Sequence, residues 1–510
     1  MPWLEWLDRG EDVEAAGKTP YRLLEPVKKW NYGEPDSENM LIEGDNLDAL
    51  KALLPYYAGQ FKCIFIDPPY NTKNAFPDYD DNLAHAKWLS MMYPRLRLLH
   101  QLLAEEGSLW ITLDDNEAHY FKVICDEVFH RKNFIATFAW EKDQGRRGDT
   151  DVSSANDHVF AYAKNREVWR KIRNLLPRTE AQKARYRNPD NDPRGVWLQG
   201  DNGTAKSGSD KARFPIELPS GRTVVPPKGN FWRFSQENFA TARKEGRVWF
   251  GNDGDSMPVI KRYLDDVQDG VVPRTWWPAA DAGTNQSAKR DHLRKLLPDI
   301  EPFSTPKPEQ LLRLILQIAT NPGEWVLDSF LGSGTTAAVA LKMGRKWVGI
   351  EMGEQAHTHC LPRLKKVVDG EQGGVSELVG WPEEGGGGFR YYKLGPAVFD
   401  ENGSIREGIK FEWLAAHVWF AETGTPRPSK ALKSPLLGEH EGTAYYLLYN
   451  GILGDKRPDG GNVLTLKVLG ELPPFEGRKV IYGEATRLSA ERLEALGVVF
   501  RQTPYDLKAR

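Results

Sequence analysis

The sequence predicts an α/β fold, a mostly parallel sheet split by a long insertion and followed by a smaller α/β unit. Three observations carry this expectation. Short apolar runs alternate with amphipathic helical stretches over residues 1–140 and again over 301–370. Residues 141–300 change character and are rich in Gly, Pro, Asn and Asp. A stretch at 371–390 ending in Gly385–Gly388 reads as a flexible linker before residues 391–510. In the first part, FKCIFI (61–66) and SLWITL (108–113) read as buried strands, with the amphipathic helix Trp88–Leu103 between them. The insertion carries few helices, at Arg166–Leu176 and Asn238–Glu245. It places aromatic residues beside basic ones, at Trp197, Phe231-Trp232-Arg233 and Trp276-Trp277. The α/β pattern resumes with helix Pro308–Ala319, strand WVLD (325–328), a Gly-rich turn, helix Thr335–Met343 and strand KWVGIE (346–351). The terminal unit reads as a helix at 411–421, strands near 444–449 and 463–468, and a strand–helix–strand run from Lys479 to Phe500.

Composition excludes several classes. At roughly 150 residues per domain, 510 residues imply about three domains. With 40% hydrophobic and 27% charged residues, the chain is neither disordered nor fibrous. No apolar run approaches the roughly 18 residues needed to span a bilayer, so no membrane partner is expected. The acidic start MPWLEWLDRGEDVE lacks the basic and apolar regions of a signal peptide. Cys63, Cys125 and Cys360 form no CxxC pair, which points to a reducing, cytoplasmic setting without a zinc site. A net charge of −3 argues against coating nucleic acid by bulk electrostatics. That sum hides a basic island: residues 141–300 hold 29 Lys/Arg against 22 Asp/Glu, whereas the remainder holds 39 against 49.

Two constellations carry chemistry. Asp67-Pro68-Pro69-Tyr70 directly follows FKCIFI, and in open parallel sheets ligands bind beyond the carboxyl ends of strands. The two prolines fix the backbone and remove two N–H donors, leaving a rigid corner with a carboxylate, outward carbonyls and an aromatic ring. Such a corner suits an exocyclic amine on a flat heterocycle: Asp67 and the Pro68 carbonyl accept its two N–H bonds while Tyr70 stacks on the ring. The second constellation is Asp328-Ser329-Phe330-Leu331-Gly332-Ser333-Gly334-Thr335-Thr336, between a strand and a helix. Its glycines allow close approach of a ligand, and the helix start at Thr335 favours anionic groups. The pattern is neither GxGxxG nor a P-loop. Glu351 ends the next strand 23 residues after Asp328, where a carboxylate can hold both hydroxyls of a ribose. Lys307, in Thr305-Pro306-Lys307-Pro308, suits a ligand carboxylate. Asp45 and Asn46 precede a helix, a position that by itself also suits capping. Asp114 and Asp115 end a strand near the same cleft, in wall or capping roles, and His158 reads as structural.

Together DPPY, the later DxFxGSGTT, a strand ending GIE and the TPKP segment resemble the amino-methyltransferases of DNA. DPPY is the form usual in adenine-N6 enzymes. The order, with the Gly loop some 260 residues after DPPY, is similar to the β-class arrangement with a target-recognition insert between. Residues 39–75 and the GSLWITLDDNE stretch most resemble modification subunits of type III restriction–modification systems. The resemblance covers residues 38–165 and 300–370, and reaches the insert and the last 120 residues only by position. It implies a Rossmann-like methyltransferase sheet, S-adenosylmethionine as cofactor, double-stranded DNA as substrate, a helicase–nuclease restriction subunit as candidate partner, and dimerisation. Residue by residue, it implies Asp328, Phe330, Gly332, Ser333, Gly334 and Thr335 around the cofactor. Glu351 then falls on its ribose, Lys307 on its carboxylate, and Asp45 with Asn46 at its adenine end. Asp67, Pro68, Pro69 and Tyr70 then fall on the target base.

The implied chemistry is direct methyl transfer to N6 of an adenine flipped out of the duplex, without metal. The insert is expected to choose the sequence, with Arg146, Arg147, Arg185, Arg187, Arg233 and Arg274 as candidates for phosphate or guanine contacts. Trp276 and Trp277 suit either wedging into DNA or burial. Competing readings are cytosine-N4 methylation, which shares the geometry, and a recognition subunit that guides a partner translocase–nuclease, with the unit beyond Gly388 as docking surface. Methylation of RNA or of a protein glutamine fits less well.

Overall fold

FKCIFI is apolar at every position except Lys62, without the alternation of a half-solvated strand, as expected for a strand covered on both faces. In the computed structural model it lies inside the largest sheet, and Phe61, Cys63, Ile64, Phe65 and Ile66 are all essentially buried. The structure describes residues 3–72, 83–146, 151–199, 203–427, 434–449 and 462–503. They form two compact units, one from residues 1–174 with 274–510 and one from 175–273. Among the described residues no helix is long and apolar enough to cross a membrane.

The first unit is built on one large sheet. Its main strands are β1 (Arg22–Pro26), β2 (Met40–Glu43), β3 (Phe61–Ile66), β4 (Leu103–Leu113), β5 (Phe134–Glu141), β6 (Asn156–Ala163), β7 (Trp276–Trp277), β8 (Trp325–Asp328), β9 (Lys346–Glu351) and β10 (Gly388–Ala397), with the short strand Tyr32–Gly33 also pairing to β10. Their spatial order is β1-β10-β2-β9-β8-β3-β4-β6-β5-β7. The block from β10 to β4 is parallel, whereas β6 runs antiparallel to β4 and β5, and β1 antiparallel to β10. The helices that matter for the site are α1 (Asn46–Tyr57), α2 (His85–Leu102), α3 (Ala118–Phe129), α4 (Glu309–Ala319), α5 (Thr335–Lys342) and α6 (Leu361–Val368). From β3 the chain proceeds to β4 on one side, and from β8 it proceeds to β9 on the other. The carboxyl ends of β3 and β8 thus flank a topological switch point, where doubly wound sheets open a crevice for ligands. Asp67 follows the first strand and Asp328 ends the second.

Several expected boundaries move. The insertion is shorter than 141–300: its compact unit spans 175–273, because residues 156–163 and 276–277 hydrogen-bond into the main sheet as β6 and β7. The stretch expected as a linker over 371–390 ends inside β10, which is inserted between β1 and β2. Phe389 and Tyr391 are fully buried there. The last 120 residues are also not a detached domain. Tyr21 and Leu23 share an apolar core with Val398, Phe411, Leu414, Val418, Leu447 and Tyr482. This region carries helix α7 (Phe411–Thr423) and a four-stranded sheet formed by Leu436–His440, Thr443–Leu447, Arg478–Gly483 and Val498–Gln502. The expected strand near 463–468 is a two-residue strand followed by helix Leu466–Glu471.

In the second unit the aromatic residues mostly make a core. Trp232 and Phe239 pack with Ile216, Leu218 and Val224, and Trp232 stacks on Phe234 at 5.5 Å. Asp192 is buried, and its carboxyl is held well below the usual range by the Arg194 hydrogen bond and then by Lys261 and Tyr263. These contacts staple a region with little regular secondary structure.

A chain ending at Gly387 should lose β10, the strand that joins the edge strand β1 to β2. It is therefore expected to show no cooperative thermal transition by circular dichroism, whereas a mere linker would leave the melt of the remaining sheet intact.

Candidate active site

The Asp67 corner is held from several sides. Thr112 on β4, fully buried, donates its hydroxyl to Asp67 Oδ1 at 2.5 Å. The Lys307 ammonium lies 2.5 Å from Asp67 Oδ2 and 5.0 Å from the centroid of the Tyr70 ring. Trp88 Nε1 on α2 donates to the Pro69 carbonyl at 2.7 Å. Of the two outward carbonyls expected from the prolines, one is thus committed to the scaffold, and the Pro68 carbonyl has no partner among the described residues. Asn71, in the left-handed region at φ 61°, donates to the buried Glu117 at 2.6 Å and locks the exit of the corner. Burial raises the Glu117 carboxyl above its ordinary value.

The Gly-rich turn is built around Asp328. Its Oδ1 accepts the Phe330 amide at 2.9 Å and its Oδ2 accepts the Thr336 hydroxyl at 2.6 Å, so the carboxylate ties the start of the turn to α5. Burial pushes this carboxyl up to about 7 against those hydrogen bonds, with Asp67 and Glu351 adding like charge. Gly332 takes a left-handed conformation at φ 56°, and a Cβ there would approach the Phe303 ring at 3.2 Å. Gly334, at φ 81°, stands at the N-cap of α5. Glu351 accepts the Gly332 amide at 2.7 Å from the end of the neighbouring strand. Behind the turn, Arg363 on α6 is buried and donates to Thr335 Oγ1 at 2.8 Å and to Glu309 Oε1 at 2.8 Å.

The two constellations face one cavity of about 830 Å³. Asp67, Pro68, Pro69, Tyr70, Lys307, Asp328, Phe330, Gly332, Ser333, Thr335 and Glu351 all line it, as do Phe303, Leu331 and Asp114. Its chemistry fits a nucleoside-like ligand. Apolar and aromatic walls lie beside a strand-end carboxylate and glycine backbone. Among the described residues, Asn285 Oδ1 and Ser304 Oγ, both in the lining, are buried polar atoms without a partner, which a polar ligand would satisfy.

Other expected residues are used differently. Asp45 and Asn46 do not line the cavity. Asp45 caps α1 through the Leu47 and Asp48 amides and pairs with Arg95 at 3.1 Å. Asn46 accepts from Arg95 and donates to the Ser329 carbonyl at 2.7 Å. Arg95 takes up their oxygens, and Asn46 braces the Gly turn through the Ser329 carbonyl. Lys307, expected on a ligand carboxylate, has the Asp67 carboxylate as its partner here. Asp114 forms the wall of the cavity and a turn with Asn116, and burial raises its carboxyl. Asp115 pairs with His158 at 2.7 Å.

The insert arginines are spread over both units. Arg185, Arg187 and Arg233 are exposed on the second unit, where Arg233 donates to the Thr204 carbonyl at 2.9 Å. Arg146 and Arg274 are exposed on the first. Arg147 lies outside the described residues. Trp277 is buried against Phe138 at 4.4 Å, while Trp276 is 46% exposed. Sequence reasoning missed Thr112, Trp88 and Arg363. Each acts through a contact formed only when distant strands and helices meet; Thr112 lies in the GSLWITLDDNE stretch, but nothing local there marks it as a partner of Asp67. His292, Glu309 and Glu371 also cluster, but Lys342 lies 3.0 Å from Glu309 and 2.5 Å from Glu371, so an ammonium already fills the cationic position between the carboxylates.

Residues 61–361 match the DNA methylase family. A probable type III restriction–modification enzyme HindVI Mod subunit of Haemophilus influenzae is 32% identical over 421 residues, covering 72% of this chain and 55% of that protein. The type III restriction–modification enzyme EcoP15I Mod subunit of Escherichia coli is 25% identical over 411 residues, covering 67% and 62%. The chain thus spans little more than half the length of these relatives. A solved structure of a putative DNA modification methylase of Thermus thermophilus, complexed with S-adenosyl-L-methionine, is 14% identical and covers 69% of this chain and 99% of its own, with a TM-score of 0.34.

The raised Asp328 carboxyl has a consequence for stability. A group whose folded pKa, about 7, exceeds its unfolded value stabilises the fold while protonated, and that contribution is lost as pH rises through about 7. Asp328→Asn keeps the shape without the charge. It is expected to be more stable than wild type at pH 8 in denaturant titrations, by about 1.4 kcal/mol per unit of elevation at most. The difference should shrink as pH falls from about 7 towards 4.

Proposed function

The chain belongs to the DNA methylase family, and on that premise we propose that it is a site-specific DNA adenine-N6 methyltransferase using S-adenosylmethionine. In this reading it is the modification and recognition subunit of a restriction–modification system, working with a separate helicase–nuclease subunit. One observation carries the reading: the Asp67-Pro68-Pro69-Tyr70 corner and the Asp328–Thr335 turn share a single cavity at the switch point of the sheet.

Bound S-adenosylmethionine supplies an electrophilic methyl group on a sulfonium. Glu351 suits its ribose, the backbone at Gly332, Ser333 and Thr335 its close approach, and Phe330 and Phe303 the apolar walls around it, whereas Gly334 faces Cys360 and Arg363 instead. The exocyclic nitrogen of adenine is a poor nucleophile because its lone pair is delocalised into the ring. Asp67 and the Pro68 carbonyl accept hydrogen bonds from its two N–H groups and favour the tetrahedral, positively charged nitrogen that develops during attack. A carboxylate has about four acceptor positions, so Asp67 can accept from the amine while Thr112 and Lys307 hold its two oxygens. Those two donors fix the plane of the carboxylate before the base arrives, which is the positional part of the effect. Tyr70 lies beside the same corner and offers a ring on which an extruded base stacks, offsetting part of the few kcal/mol that flipping costs.

Cytosine-N4 methylation uses the same acceptors, and the product distinguishes the two. Labelled methyl transferred from S-adenosylmethionine to duplex DNA is expected in N6-methyladenine after nucleoside separation by mass. Recovery as N4-methylcytosine would overturn the base assignment, and cofactor binding without transfer would favour a recognition subunit dependent on its partner. Asp67→Ala is expected to lower kcat by about 10²–10³-fold or more while leaving S-adenosylmethionine affinity by calorimetry near that of the parent.

A further inference from the structure

The segment after β7 contributes a helix that no motif announces. Ser287–Leu293 is wound with i→i+5 hydrogen bonds and continues into Arg294–Leu296. In this wider turn, residues four to five apart share a face. That spacing brings Asn285, Gln286, Lys289, Arg290 and Arg294 together on the cavity lining. The opposite face is anchored. Ala288, Leu293 and Leu296 are buried, and His292 Nε2 lies 3.0 Å from Glu371 Oε1. The basic face is therefore presented by a helix with a fixed rotation about its axis.

The charges around the cavity separate into two groups. The acids are committed: Asp67 to Lys307 and Thr112, Asp157 to Lys142, Asp328 to Thr336, Glu351 to the Gly332 amide, Asp114 to Asn116 and Asp143 to the Gly145 amide. Lys307 and Lys142 are spent in those pairs. The cations of the helix face are not. Among the described residues, Lys289 reaches only the Ser304 carbonyl, at 3.4 Å. Arg290 meets its neighbour Asp291 in an exposed contact at 3.1 Å, the kind of pair that contributes little. Arg294 is exposed and has no acidic partner among the described residues. Three basic groups thus stand at the rim of a cavity whose floor carries the base-binding corner.

Resting on the reading above, we propose that Lys289, Arg290 and Arg294 grip the phosphates flanking the flipped nucleotide, holding the backbone outside while the base enters. Guanidinium forks suit phosphate oxygens, and contacts to phosphate position a duplex without reading its sequence. This places part of the DNA grip on the catalytic unit.

The test compares the intact protein with K289Q/R290Q/R294Q and with the single variant Arg294→Gln. Duplex affinity is measured by fluorescence anisotropy across a salt series, and S-adenosylmethionine affinity by calorimetry. For the triple variant, the slope of log K against log[salt] should become shallower by about 0.9 for each phosphate no longer neutralised, about 2.7 if all three cations engage one. For the single variant the change should be about 0.9. Cofactor affinity should be unchanged in both, which also reports an intact fold. An unchanged slope in the triple variant, or a loss of cofactor affinity with the slope unchanged, would overturn the proposal. If the wild type methylates DNA normally in that case, the methyltransferase reading survives. A wild type that binds no duplex at all would overturn both.

Discussion

The pairing of β8 with β3 is the constraint on which the rest depends. It joins segments about 260 residues apart, in a parallel register that sets Asp328 opposite Phe65, two residues before Asp67. Neither strand makes the cavity alone: β3 ends in the Asp67 corner without the Gly-rich turn, and β8 in the Gly-rich turn without the corner. Because a parallel pair has no hairpin, its connection must cross over. Here the connection from β3 to β8 includes the whole 175–273 unit. The carboxyl ends of both strands open on the same edge, and the cavity follows from that geometry.

The Gly-rich turn after β8 is supported by buried charge. Glu309, Lys342, Arg363 and Glu371 interlock behind it, with Lys342 and Glu309 fully out of solvent at their side chains. Burial alone would raise the Glu371 carboxyl, yet the His292 hydrogen bond and Lys342 hold it at about 2. Such a cluster contributes little net stability relative to apolar packing, but removing one member leaves an uncompensated charge. Its value here is positional. Arg363 spans from Glu309 to the hydroxyl of Thr335, so the first residue of α5 is tied to a network extending through α4 and α6.

The floor of the cavity shows the same economy. Asp67 is set by a hydroxyl from β4 and an ammonium from the segment before α4, so the carboxylate geometry is decided before any ligand enters. Inside the cavity Asp67 is offset by Lys307 and Asp157 by Lys142, while Lys289, Arg290 and Arg294 on the same lining face an incoming anionic ligand.

What the sequence determined by itself was local. FKCIFI, WVLD and KWVGIE are buried strands because continuous apolar runs suit a sheet covered on both faces. Asp67, Tyr70, Gly332 and Glu351 could be named because each lies within a few residues of a strand end, and turn chemistry is readable over that range. Tertiary structure decided the rest. Asp45 and Asn46 looked like ligand residues until Arg95, about 50 positions away, took their oxygens. Gly385–Gly388 looked like a linker until β10 paired with β2 some 350 positions earlier. Thr112 and Arg363 carry no signal of their own, since a buried threonine or arginine acquires its role from the partner that packing brings to it. Local periodicity and turn residues act through neighbouring backbone geometry, whereas hydrogen bonds and ion pairs between distant elements exist only once the sheet has chosen its strand order.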